Sequence, residues 1–329
     1  MQVSASVRAV QVPDENPMHP DLTTIYMVGN GQVMTIDSGE AMDRYQWMLR
    51  GYLAAVERAE IALAAITHHH LDHSGNLKWI RNVYKADVLV HNDGVPLLTE
   101  QLPDEGVQTL SEAKAIDLGG GVRVQVLETP GHSVDSVCYY LEEEGVLFSG
   151  DTLLGSSTTT VWDLYSYMAS LERLLTLPNL TVICPGHGPI VHDPRERLQH
   201  YVAHRMMRER QILEVLGQGG EHTSWDIMLK LYPDINTRLR RAANNNVQSH
   251  LTKLEREGRL TTYPGVPKEQ NAEQLRQAEE HARVRTEVKA QAKQYEEEDR
   301  RAAIAAQENP PSEQWEVMPR FELVGTPRE

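Results

Sequence analysis

Long apolar runs, cysteines and positive charge are all scarce in this chain, and each scarcity excludes something. Nowhere among the 329 residues do about 18 apolar residues follow one another. A helix needs that length to cross a bilayer, so no membrane partner is expected. The stretch from Met1 to Val12 has one arginine and no apolar centre, and it is not expected to act as a secretory leader. Two cysteines, Cys138 and Cys184, cannot build a disulfide framework. Both lie in apolar stretches, where a small buried packing residue is expected rather than a nucleophile or a ligand. A reducing, cytoplasmic setting fits these features. Basic residues are outnumbered, 32 Lys and Arg against 47 Asp and Glu, for a net charge of −15. Such a surface repels phosphate backbones, which argues against non-specific nucleic-acid binding over the whole molecule. Hydrophobic residues nevertheless make up 40 % of the chain, enough to fill a large core and a smaller one.

Strands and helices alternate along the first two thirds. Residues 23–28 and 32–36 flank Gly29-Asn30-Gly31 and predict a hairpin. Ser38-Gly39 is expected to open a helix running to about Arg58. Residues 61–66 form an apolar run that predicts a buried strand, and another helix starts at Ser74-Gly75-Asn76. Strand patterns follow at 86–91 and 121–127, a second hairpin at 137–141 and 145–148, and a strand at 180–184. A charged helix from about Pro194 to Leu216 ends at Gly217-Gln218-Gly219-Gly220. Three short helical patterns occupy 222–263. The last, 244–257, carries Val247, Leu251 and Leu254 on one face, then Gly258 and a short strand at 260–263, which resembles the last helix and wing of a winged helix. Residues 268–308 read as an exposed charged helix with a thin apolar stripe, and the tail beyond Pro310-Pro311 as loosely ordered.

The chemistry concentrates just beyond the strand ends, where a rigid sheet can hold catalytic loops. Thr67-His68-His69-His70-Leu71-Asp72-His73 packs His68, His70, Asp72 and His73 into six residues. Neutral imidazoles and carboxylates are the donors that zinc and similar divalent ions take. His69 lies on the opposite side of an extended segment and is expected not to coordinate. His132 in Thr-Pro-Gly-His, Asp151 in Ser-Gly-Asp and His187 in Pro-Gly-His-Gly complete an ordered set.

His-x-His-x-Asp-His followed by His, Asp and His resembles the ligand series of the metallo-β-lactamase superfamily over residues 20–195. That resemblance implies an αββα sandwich. It also implies two divalent metal ions, expected to be Zn²⁺, with His68, His70 and His132 on one, Asp72, His73 and His187 on the other, and Asp151 between them. A bridging aspartate, with no cysteine at a ligand position, is unlike the true β-lactamases. It favours the branches similar to glyoxalase II, thioesterases and nucleases. The segments at 160–168, 201–213 and 247–260 resemble the subgroup that carries a C-terminal winged helix, which includes mitochondrial endoribonucleases and fungal polyketide thioesterases. The expected organisation is a catalytic domain over 1–217, a small winged-helix-like α domain over 218–265, and a charged helical extension over 266–329.

The implied activity is hydrolysis by a metal-bridging hydroxide, with Asp72 orienting the nucleophile or relaying its proton. A thioester, ester or similar small acyl substrate is the first expectation. Rivals are a single-strand endoribonuclease, a one-iron persulfide dioxygenase, and a DNA-binding regulator whose metallo-domain is a sensor. Nucleic acid would be met through residues 221–259, which hold seven Lys and Arg against five Asp and Glu. That balance equally describes a solvated face. Tyr165, Tyr167 and His204 are candidate substrate contacts, with plain packing as the alternative. His91 and His192 are expected in structural or solvent-facing positions. The sequence leaves homo-oligomerisation open.

Overall fold

A computed structural model describes residues 1–13, 22–30, 32–56, 60–112, 114–267, 310 and 315–324. The first elements are β1 (Val7–Pro13), β2 (Leu22–Val28), β3 (Gln32–Ile36), α1 (Asp43–Val56), β4 (Glu60–Ala65), α2 (Leu71–Ser74), α3 (Leu77–Tyr84), β5 (Asp87–His91) and β6 (Val107–Leu110). They build a six-stranded sheet in the order β1-β2-β3-β4-β5-β6. Then come β7 (Ala115–Asp117), β8 (Arg123–Glu128), β9 (Val137–Leu141), β10 (Val146–Gly150), α4 (Leu164–Leu175), β11 (Val182–Pro185) and α5 (Pro194–Leu216). These add a five-stranded sheet in the order β11-β10-β9-β8-β7.

Side-chain alternation makes the layers. Along β2, Tyr26 and Val28 face the core shared by the two sheets, while Ile25 and Met27 face the helices outside. Along β9, Val137, Tyr139 and Leu141 meet the sheet-to-sheet core, whereas Cys138 and Tyr140 meet Leu171 and Leu174 of α4 and Leu198 of α5. Strands covered on both faces must be apolar at every position, and β9 is buried throughout. Each large side chain so enclosed contributes about 1.5–3 kcal/mol. The result is the expected αββα sandwich. Asp163 caps α4 by accepting from the Ser166 N–H, worth about 1 kcal/mol.

Two local expectations change. The helix expected from Ser38 begins only at Asp43. Ser38 is held away from helical pairing: its N–H and its hydroxyl both donate to the His73 carbonyl. Gly39 follows with φ +72°, a left-handed turn that suits glycine. The tail expected to be loose contains β15 (Trp315–Val317) and β16 (Arg320–Leu323). The expected helix over 268–308 lies outside the described residues.

The chain divides into two compact units, Met1–Arg205 and Met206–Glu329. In the second, β12 (His222–Thr223) leads into α6 (Ser224–Leu231) and α7 (Arg240–Arg256), followed by β13 (Leu260–Tyr263) and β14 (Val266–Pro267). A reciprocal capping box between Thr223 and Asp226 starts α6. The strands β12-β16-β13 form one sheet and β14-β15 another. Phe321 on β16 is buried with Trp225, Met228, Val247, Leu251 and Leu254. An aromatic ring in that core, with backbone pairing on both sides of its strand, orders the tail. Among the described residues, no helix is long and apolar enough to cross a membrane.

Candidate metal centre

Four strand ends of the two sheets converge on one rim and deliver the donors. β4 runs into Thr67 and His68, β8 into the loop carrying His132, β10 into Asp151, and β11 into His187. The rim is tied together by backbone. Val137 N–H donates to Thr67 O, Thr24 N–H to Gly186 O and Gly186 N–H to Gly150 O, at 2.9 Å each. Two buried tyrosines brace it: Tyr139 donates to Ile66 O at 2.7 Å and Tyr26 to Pro185 O at 2.8 Å. The turn before His132 needs a glycine. Gly131 has φ +140°, and a Cβ there would stand 2.4 Å from the Tyr167 Cβ.

All seven candidate ligands meet there, in overlapping groups. His68 Nε2, His70 Nδ1 and His132 Nε2 form a triangle with sides of 2.8, 3.2 and 3.2 Å. Asp72 Oδ2 lies 2.9 Å from His187 Nε2 and 3.3 Å from His73 Nε2. Asp151 stands between the groups. Its Oδ1 is 3.4 Å from His73 Nε2 and 3.5 Å from His187 Nε2, and its Oδ2 is 3.7 Å from His132 Nε2. Ligands about 2.1 Å from a tetrahedral ion are roughly 3.4 Å apart, so these spacings suit metal-sized gaps. Six of the seven are buried and His70 is half-buried.

Other contacts aim the imidazoles. The second ring nitrogen of His68 is 3.1 Å from Thr67 Oγ1, that of His187 3.1 Å from Thr23 Oγ1, and that of His132 2.9 Å from the Thr160 carbonyl. His73 Nδ1 meets Asp37 Oδ2 at 2.8 Å. Orienting partners of this kind fix which nitrogen faces a metal. Meanwhile His73 Nε2 and Asp151 Oδ1 are buried and make no hydrogen bond among the described residues. Leaving buried polar atoms unmatched is costly, and a divalent cation would satisfy both. The residues present therefore fit metal ions.

The charge pattern agrees. Burial, with His73 and His132 alongside, pushes His68 well down, and burial likewise lowers His70 to about 4. Both are pushed toward the neutral form that a metal takes, while, against burial, the clustered carboxylates raise His73 and His187. Burial opposes ionisation of Asp72 and Asp151, yet His73 and His187 hold both carboxyls well below the usual range.

A cleft of about 710 Å³ opens beside His70. His69, Ser133, His91 and Glu128 line it with polar groups, while Leu97, Val134 and Trp162 give it an apolar rim. His91, expected in a structural or solvent-facing position, is buried on this wall with its Nε2 3.1 Å from Glu128 Oε1. His192 is exposed. From the start of α4 the cleft receives Asp163 and Ser166. Tyr165 is exposed, Tyr167 is enclosed in the core and donates to Thr152 O, and His204 is half-buried beside His200. Sequence reasoning missed Asp37 and Asp135. Asp37 follows β3 as closely as the ligands follow their strands, which was a usable signal. Asp135, in Ser133-Val134-Asp135-Ser136, had only its polar turn setting.

Comparison with known proteins yields two family models. Residues 20–187 match the metallo-beta-lactamase superfamily and residues 223–262 the beta-lactamase associated winged helix domain. A beta-lactamase-like protein 2 homolog of Caenorhabditis elegans is 34 % identical over 78 % of this chain and 86 % of its own length. An atrochrysone carboxyl ACP thioesterase of Aspergillus fumigatus is 33 % identical over 64 % of this chain and 65 % of its own. A solved metallo-beta-lactamase family protein from Thermus thermophilus superposes with a TM-score of 0.65 at 26 % identity, covering 78 % of this chain and 96 % of that one.

Proposed function

The chain belongs to the metallo-beta-lactamase superfamily, and on that footing we propose that it is a two-metal hydrolase of thioesters or similar small acyl compounds. The observation that carries this reading is the double cluster with an apolar-rimmed cleft beside it. His68, His70 and His132 would hold one ion, Asp72, His73 and His187 the other, and Asp151 would serve both. Bound divalent ions, Zn²⁺ by their donor set, supply Lewis acidity that activates water and polarises an acyl carbonyl.

The protein's own groups do the rest. Leu97, Val134 and Trp162 clasp an apolar acyl chain and keep water from it. Asp72, kept ionised by His73 and His187, would accept a hydrogen bond from the attacking water and orient it. The thioesterase relative supports acyl hydrolysis. The competing endoribonuclease reading draws on the winged helix. Two of its cations, however, are already engaged: Lys253 Nζ lies 2.7 Å from Glu209, and Arg259 Nη1 2.9 Å from the same carboxylate.

Metal analysis of the purified protein, beside hydrolysis of acyl thioesters, aryl esters, lactones, phosphodiesters, single-stranded RNA and a β-lactam, tests the reading. About two zinc ions per chain and chelator-sensitive thioester turnover are expected. A single iron, or cleavage of RNA alone, would overturn it.

A further inference from the structure

Between two of the clustered histidines stands one that the cluster does not use. His69 turns its Nδ1 to the Asp135 carboxylate at 2.8 Å. Asp135 is 1 % exposed, and its Oδ1 also accepts from Ser133 Oγ at 2.8 Å. Gly94 approaches from the other side, so close that an added Cβ would stand 2.7 Å from Oδ2. Burying a carboxylate is costly unless it is well hydrogen-bonded, and this one orients a ring that joins no ligand group. A carboxylate only accepts, so Nδ1 carries a proton. In the Nδ1–H tautomer that Asp135 selects, the remaining nitrogen, Nε2, is the acceptor. With Nδ1 turned into the protein, the quarter of the His69 side chain left exposed lies on the cleft wall, beside His70 and Ser133. Its ring centroid is 4.7 Å from that of His70, within one side chain of the metal cluster.

We propose that His69, oriented by Asp135, is a substrate-binding residue whose Nε2 accepts from an amide N–H or hydroxyl a few bonds from the scissile carbonyl. The inference rests on the acyl-hydrolase reading of the cleft. A site built to pair with a donor rejects an analogue that lacks it, because the acceptor is then desolvated without a partner. Selection among acyl compounds thus comes from a residue outside the ligand set.

The test reads binding by calorimetry to the full-length, metal-loaded protein, with metal content as a control. One probe pair is a ketone analogue of an acyl-N-acetylcysteamine thioester, with methylene replacing sulfur, and its N-methylated amide twin. A second pair carries or lacks a hydroxyl at the third carbon of the acyl chain. The pair that discriminates tells whether the donor lies on the leaving group or the acyl side. Wild type is expected to prefer the donor member of one pair by about tenfold. His69→Ala should bring that ratio near one with metal content unchanged. His69→Gln, whose amide oxygen can stand near the Nε2 position, should restore part of it. Asp135→Asn, which can turn the ring over, should lower the ratio although His69 remains. The proposal is overturned if wild type discriminates neither pair or binds neither, or if His69→Ala keeps the preference. If no thioester is turned over but the ratio follows His69, the hydrolase reading falls, and His69 stands only as a residue that selects which acyl compounds bind.

Discussion

His73 is gripped by Asp37: the Nδ1–H of the imidazole donates to the Oδ2 carboxylate oxygen at 2.8 Å, with both groups sealed from solvent. The same carboxylate accepts from the Thr67 N–H at 2.8 Å and the Thr67 hydroxyl at 3.0 Å. One buried acid therefore sets His73, in one group of candidate ligands, and the residue that precedes His68, in the other.

Asp37→Ala should weaken metal affinity by about 10–100-fold, the usual effect of losing a partner that orients a ligand. Competition with a coloured chelator measures it. Asp37→Asn, which keeps an acceptor for His73, should lose less. An unchanged affinity in the alanine variant would mean that the orientation of His73 is secured elsewhere.

Removing metal should lower the melting temperature. At free metal 100-fold above its dissociation constant, binding stabilises by about 2.7 kcal/mol. For a unit the size of Met1–Arg205, that corresponds to roughly 5–10 °C. Scanning calorimetry before and after chelation, with metal restored as the third sample, decides the matter. Equal melting temperatures would count against metal sites in this cluster.

Trp162 is 65 % exposed on the cleft rim, a poor place for a large ring unless something covers it. Trp162→Ala should raise KM for a long-chain thioester about tenfold, equivalent to roughly 1.4 kcal/mol of binding. Its kcat should stay within about twofold, because the ring grips ground and transition states alike. A fall in kcat at constant KM would place Trp162 in the chemistry instead.

Neither cysteine should react with a thiol reagent in the native protein at pH 8. Both are buried, and burial pushes the Cys138 thiol up to about 11 and raises Cys184 as well. Protonated thiols are poor nucleophiles, and labelling should grow only as pH climbs toward 11. Denatured protein should show two reactive thiols per chain. Fast native labelling of either would reveal an opening of the core at Cys138 or Cys184.

Much of the architecture was legible because it is written in local periodicity. Alternation marked the strands, and Gly29-Asn30-Gly31 and the short break between 141 and 145 marked two hairpins that the sheets contain. The beginning of α1 was misplaced because Ser38 answers to His73, 35 residues away. The tail was misread because its composition is polar, whereas Phe321 is held by strands laid down some 60 and 100 residues earlier. Sequence patterns report a residue's neighbours in the chain and are blind to such partners.

By itself, the sequence determined which donor types exist and that each follows a strand: His68 after β4, His132 after β8, Asp151 after β10 and His187 after β11. Strand ends are set by local apolar runs and turn residues, so their order needs no knowledge of the fold. Only the tertiary structure decided that those four ends share one rim. It brought His187 Nε2 to 2.9 Å from Asp72, gave His73 to Asp37, and turned His69 away to Asp135. Those pairings depend on how the strands are ordered across two sheets, and that order follows from which apolar faces bury one another.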